Sequence, residues 1–158
     1  MDAQVTYELM MPGEEVEVSE LVARVFDEYV AADCTLEGIQ EFLGYIAPDL
    51  MAVRSQAGHF AWVAKVKGKI VGMIEMRNDE HISLLFVDKG YQGRGISRGL
   101  FERAMVRSLK AEPDVREISV NSSSYAVGVY ERLGFERCGP KERKNGISYI
   151  PMKLRKAL

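Results

Sequence analysis

The chain has 158 residues, 47% of them apolar and 28% charged, with a net charge of −2. That length suits one domain, spanning 1–158, with a single sizeable core, and the composition excludes a disordered chain. The slightly acidic balance argues against a nucleic-acid partner, and no apolar run approaches the ~20 residues that would cross a membrane.

The first residues, Met1-Asp2-Ala3-Gln4, lack the basic and apolar regions of a signal peptide. Cys34 and Cys138 are the only cysteines, which makes neither a disulfide framework nor a zinc site. The expected setting is a reducing cytoplasm, without a bound metal.

In chain order, Val5 to Met10 reads as a first strand, ended by Pro12-Gly13. Val18, Leu21, Val22, Val25, Phe26, Tyr29 and Val30 recur at helical spacing and predict a helix from about Glu15 to Ala31. Thr35 is a fair N-cap for a second helix carrying Leu36, Ile39, Phe42, Leu43 and Ile46. Pro48 opens a further short helical piece that stops before Gly58. The period then changes. Phe60–Val66, Ile70–Met76 and His81–Val87 read as strands joined by short polar turns, an antiparallel meander. A glycine-bearing loop leads into a long helix to about Lys110. A strand over Val115–Val120 follows, then a short helix over Tyr125–Leu133 that Gly134 can end. Phe135–Cys138 and Ile147–Leu154 are the last expected strands, joined by the polar segment Gly139 to Gly146. The order predicts an α+β fold, with helices on both faces of a mixed, largely antiparallel central sheet.

The loop between Val87 and Ile96 carries the strongest signal. A strand running into glycines and a helix start leaves backbone N–H groups unpaired beside the positive end of a helix dipole. Such a junction binds anions, phosphate above all. Gly93, Gly95 and Gly99 miss the dinucleotide fingerprint by one residue, and no P-loop occurs.

Val87-Asp88-Lys89-Gly90-Tyr91-Gln92-Gly93-Arg94-Gly95-Ile96-Ser97 resembles the acyl-CoA-binding segment of the GNAT superfamily of N-acetyltransferases. That segment carries Gln or Arg, two residues, Gly, one residue, then Gly or Ala. Gln92 and Gly95 match it; Ser97 departs from it, standing where Gly or Ala is expected. A second segment, from Asn121 and Tyr125-Ala126 to Tyr130-Glu131-Arg132-Leu133-Gly134-Phe135, is similar to the family's second conserved stretch. The resemblance covers nearly the whole chain. It implies acetyl transfer from acetyl-CoA to a primary amine, by direct attack in a ternary complex.

The same resemblance implies the site. The CoA pyrophosphate lies over the backbone of Gln92, Gly93, Arg94, Gly95, Ile96 and Ser97. Arg94 and Arg98 either add positive charge or are solvated helix arginines. The pantetheine arm pairs with Leu85-Phe86-Val87, where the sheet splays, and Asn121 either contacts that arm or only turns the chain. Tyr130 is the family tyrosine that protonates the departing thiolate, and a phenol with a pKa of about 10 suits the task. His81 is the candidate base, because some relatives carry Glu or His at this place. Strand rise puts it about 13 Å from Leu85, so it acts through water. Glu75 is the reserve base.

The acceptor side is nearly silent: the resemblance implies only that the first two helices and the late strand loops shape it. Asp27, Glu28, Asp33, Glu37 and Glu41 make the early helices acidic, which either attracts a cationic amine or is a solvated face. A small-molecule amine is slightly preferred as acceptor. A protein Lys or N-terminus, and a catalytically silent acyl-CoA-binding module, are the alternatives. An exposed sheet edge or the last strand offers a homodimer surface without demanding one.

Overall fold

The computed structural model describes residues 4–155. Strand β1 (Val5–Leu9) is followed by α1 (Glu15–Tyr29), which buries Val18, Leu21, Val22, Val25 and Phe26, the stripe its helical spacing predicts. A 3-10 turn over Ala31–Asp33 leads to α2 (Leu36–Tyr45). Thr35 caps α2 as expected, its Oγ1 accepting from the Gly38 amide at 3.1 Å. Helix α3 (Pro48–Ser55) opens on proline, whose missing N–H costs nothing at that position. The meander follows as β2 (His59–Val66), β3 (Lys69–Arg77) and β4 (His81–Val87). Then come α4 (Ile96–Ala111), β5 (Glu117–Ser122), α5 (Val127–Arg132), β6 (Glu136–Arg137), β7 (Glu142–Lys144) and β8 (Ile147–Arg155).

The strands form one sheet in the order β1-β2-β3-β4-β5-β8-β6, with β7 also on β8. Among the described residues only β4 and β5 pair in parallel. Ile96, Leu100, Phe101 and Ala104 of α4, with Val127 and Tyr130 of α5, cover one face. Val18, Leu21 and Val22 of α1, with Met51 of α3, cover the other. The expected layers and strand polarity are therefore present.

Some boundaries move. β5 begins at Glu117 rather than Val115, and α5 begins at Val127, which leaves Tyr125 in the turn before it. The larger correction is the polar segment Gly139 to Gly146, which contains β7 and closes a hairpin with β8 through Asn145-Gly146. Their φ values of 52° and 81° are what a two-residue hairpin turn requires. All of Glu142, Arg143 and Lys144 are exposed, so no alternation of polar and apolar residues announces that strand.

Two irregularities shape the centre of the sheet. β4 and β5 pair only at His81–Ser119 and Ile82–Val120. Beyond those rungs β4 stays with β3 and β5 stays with β8, so the sheet splays between them. Ser83 is the extra residue of a β-bulge, because Glu75 pairs Leu84 while Met76 pairs Ile82. Simple alternation predicts that residues 81, 83 and 85 share a face. The bulge breaks that alternation, sending Ile82 to the core under α4 and Leu84 to the core under α1.

Candidate active site

The splay exposes backbone on β4. The Asp88 N–H bonds the Val71 carbonyl at 2.8 Å. By the alternation of an antiparallel ladder, the peptide groups of Phe86 then face β3, while those of Leu85 and Val87 face the opening. The Gln92 side chain closes one of them, its Nε2 donating to the Val87 carbonyl at 3.0 Å. The Tyr125 hydroxyl donates to Gln92 Oε1 at 2.6 Å, and the Tyr125 ring stacks on Tyr29 at 4.3 Å. Gln92 therefore ties the glycine loop to the strand end through its side chain.

Gly93 and Gly95 hold φ of 77° and 79°, and Gly95 is the N-cap of α4. A Cβ added at either would meet nothing within 4 Å. Space does not require glycine here; the left-handed backbone does, and it aims the first amides of α4 at an open concavity. These are the properties of a phosphate cradle. Beside it, Arg98 Nη2 donates to the Arg132 carbonyl at 2.6 Å.

A cleft of about 1100 Å³ runs from this loop along the splay and out under α2. Gln92, Gly93, Gly95, Ile96, Ser97 and Arg98 line its loop end. Leu85, Phe86, Val87, Asn121 and Tyr130 line its middle. Arg94 is not brought in; its guanidinium lies over the Tyr91 ring, 5.3 Å from the centroid.

Tyr130 is 5% exposed, and burial pushes its phenol pKa up. Phe135 packs edge-on against the ring at 5.6 Å and fixes its direction. It is thus a fully protonated hydroxyl in a low-dielectric wall of the cleft.

His81 does not reach the cleft, and this corrects the expectation from its place on the strand. Its Nδ1 lies 2.7 Å from Ser119 Oγ, on the rung where β4 and β5 still pair. Burial, with the positive charges of Arg77 and His59 adding to it, pulls the imidazole pKa down to about 4. Glu75 is also outside the cleft, with both oxygens bonded to Arg54 and one to His59.

The His81 shift has a consequence for stability. Between pH 6.5 and about 4 the unfolded chain binds a proton at His81 that the folded chain refuses. Stability is therefore full above pH 6.5 and falls as pH drops through this window. Urea midpoints at pH 7 and pH 4.5 should show this loss, and His81→Gln should shrink the difference.

The far end of the cleft comes from elements that are distant in sequence. α2 contributes Glu41, Phe42 and Tyr45; the end of β3 gives Arg77, and the bulge gives Ser83. Lys144, Asn145 and Tyr149 enter from the β7–β8 hairpin. The family resemblance points to α2 and to the late strand loops in general but not to these residues, apart from the acidity around Glu41; the end of β3 and the bulge were missed, and the Asn145-Gly146 dipeptide was the one usable local signal for the hairpin. The hairpin also meets α2 directly. The Thr35 N–H donates to the Gly146 carbonyl at 3.0 Å. Gly38 lies so close to the same carbonyl that an added Cβ would overlap it. This contact roofs the far end. Of the five early acidic residues, Glu28 pairs with Lys89 and Asp33 with Lys141, and only Glu41 lines the cleft.

A phosphate cradle at one end, exposed β amides in the middle and a protonated tyrosine opposite them suit an extended phosphorylated donor with a reactive far end. That is the architecture of a coenzyme-A-dependent acyltransferase. A family model described as an acetyltransferase (GNAT) domain matches residues 30–156. The chain belongs to the GNAT acetyltransferase family, whose general activity is acetyl transfer from acetyl-CoA. A GCN5-related N-acetyltransferase from Rhodopseudomonas palustris superposes with a TM-score of 0.80 at 17% identity, covering 99% of both chains. The PaiA N-acetyltransferase from Thermoplasma acidophilum, in complex with coenzyme A, gives 0.78 at 16% identity, covering 97% of this chain and 99% of that one. A probable acetyltransferase, TAP2, from Glycine max is 30% identical over 96 residues, 58% of this chain. The chain spans 37% of the length of that relative.

Proposed function

We propose that this protein transfers acetyl from acetyl-CoA to the primary amine of a small molecule, by direct attack in a ternary complex. The observation that carries the reading is the continuous cleft from the glycine loop, past Leu85 and Val87, to Tyr130. The amides of Gly93 to Ser97 hold the pyrophosphate, with Arg98 beside them. The exposed amides on β4 pair with the pantetheine arm, and one of them holds the thioester oxygen as negative charge develops there. Tyr130 gives its proton to the departing thiolate, the attacking nitrogen sheds its extra proton to solvent as the amide forms, and solvent returns a proton to Tyr130. Burial raises the pKa of a thiol as well as a phenol, so the same wall that keeps Tyr130 protonated makes the thiolate a ready acceptor. With His81 outside the cleft and Glu75 saturated, the acceptor ammonium loses its proton to solvent before attack.

The roof made by α2 and the β7–β8 hairpin favours a small acceptor over a protein. A peptide crossing the sheet would have to part Thr35 and Gly38 from Gly146, and that contact is backbone on backbone. Calorimetry with acetyl-CoA tests the donor half. Binding is expected, and Gly95→Ala should weaken it by about tenfold, because Ala avoids a φ of 79° by about 1–2 kcal/mol, so the free loop relaxes out of the cradle conformation and binding has to restore it. No heat of binding would remove the assignment. Thiol release with small amines but not with peptides is the expected outcome for the acceptor half.

A further inference from the structure

We propose that the acceptor carries a carboxylate as well as its amine, and that Arg77 receives it. This rests on the acetyl-transfer reading above and names the class of acceptor within it. Away from the glycine loop the cleft is lined by three charged side chains, Glu41, Arg77 and Lys144. Among the described residues none of the three has an ion-pair partner. Charged residues in the same layers pair readily elsewhere, as in Arg24–Asp88, Lys89–Glu28 and Lys141–Asp33. The roof and the floor of the cleft each supply one cation. Lys144 lies two residues before Gly146, where the hairpin touches α2, and Glu41 lies one helical turn beyond Gly38 on α2. Arg77 ends β3 opposite His81, two residues before the bulge.

A second observation lies between Arg77 and the reaction centre. Ser83, the bulged residue, lines the cleft, and its Oγ is buried without a hydrogen-bond partner. A buried orphan hydroxyl costs about 1–3 kcal/mol until something bonds it. A small polar acceptor that reaches from Leu85 to Arg77 passes this hydroxyl. By the register the Arg77 rung lies three residues of β3, about 10 Å, from the rung of Leu85, and an extended arginine side chain is more than half that long. The anion is therefore only a few bonds from the amine. The balance of two cations to one carboxylate disfavours polyamines, which want an acidic pocket. Glu41 draws the ammonium in while Arg77 holds the carboxylate; guanidinium suits a planar two-oxygen partner.

The test is thiol release by the full chain at saturating acetyl-CoA. The acceptors are glycine, alanine, aspartate, glutamate and γ-aminobutyrate, against glycinamide, alaninamide, ethylamine, spermidine and a lysine peptide. At least one amino carboxylate is expected to exceed its uncharged counterpart by about tenfold or more in kcat/KM, the worth of one charge-assisted contact. Arg77→Gln should raise KM for that acceptor by a similar factor with kcat and the KM for acetyl-CoA little changed, and Arg77→Lys should recover part of it. Amides, ethylamine or spermidine used as well as the amino carboxylates would overturn the proposal and leave acetyl transfer standing. So would an unchanged acceptor KM in Arg77→Gln. Acetyl-CoA binding without thiol release from any acceptor would overturn the acetyl-transfer reading and this inference with it.

Discussion

Tyr130→Phe is expected to lower kcat by about 10²–10³-fold while the KM for acetyl-CoA moves by less than about threefold, because a positioned proton donor contributes on this scale. The ring itself is not lost in this variant. Phe keeps the edge-on contact with Phe135 and the fit beside Val127, so the wall of the cleft keeps its shape. Only the hydroxyl goes, and with it the proton for the thiolate. A thiolate leaving unprotonated into a dry wall carries the desolvation cost that burial imposes on any anion there, the same cost that raises the phenol pKa of Tyr130. Stopped-flow acetyl transfer at saturating acceptor separates chemistry from product release. An unchanged transfer rate in a folded variant would remove Tyr130 from the reaction and leave it a packing residue.

What was legible in the sequence divides by how local the cause is. The α1 stripe, the Thr35 cap, the Pro48 helix start and the glycines at 93 and 95 are each set by neighbours within a few residues, and each appears where expected. The cradle end of the cleft is legible for the same reason, since one loop and one helix start make it. Three things were not legible. The Ser83 bulge is a matter of how β4 registers against β3, a partner distant in pattern if not in sequence, and it invalidates the alternation that linked His81 to Leu85. The environment of His81 depends on Ser119, Arg77 and His59, contributed by three other strands. The acceptor end joins α2, β3, β4 and a hairpin whose first strand is wholly charged. Arg94 shows the converse limit: a cation in the right motif turned onto the Tyr91 ring instead of toward the cradle.

Glu75→Ala is expected to destabilise the protein by about 3–5 kcal/mol, the usual result of stripping one partner from a buried ion pair. Glu75 is 2% exposed, and its carboxylate takes Arg54 Nε at 2.8 Å, Arg54 Nη2 at 3.1 Å and His59 Nδ1 at 2.7 Å. Removing it strands a guanidinium that has little water to turn to. For a chain of this length the loss should lower Tm by about 10–15 °C. Replacing both partners, Glu75→Met with Arg54→Met, should recover much of that, because no unpaired charge remains. The cluster also bears on the acceptor end. Arg54 donates to the Tyr45 carbonyl and lies 3.8 Å above the Tyr45 ring, and Tyr45 lines the cleft. Loosening Arg54 should therefore raise the KM for the acceptor and leave that for acetyl-CoA alone, since the donor lies along β4 and α4. Glu75→Gln separates this positioning role from the base role that its sequence position suggests. The amide keeps the shape and part of the hydrogen bonding, so kcat at saturating acceptor should stay within about threefold, far from the 10²-fold or greater loss of a missing base. A fall of that size, with the fold and both KM values intact, would make Glu75 the base after all. Its bonds to Arg54 and His59 would then have to open during turnover.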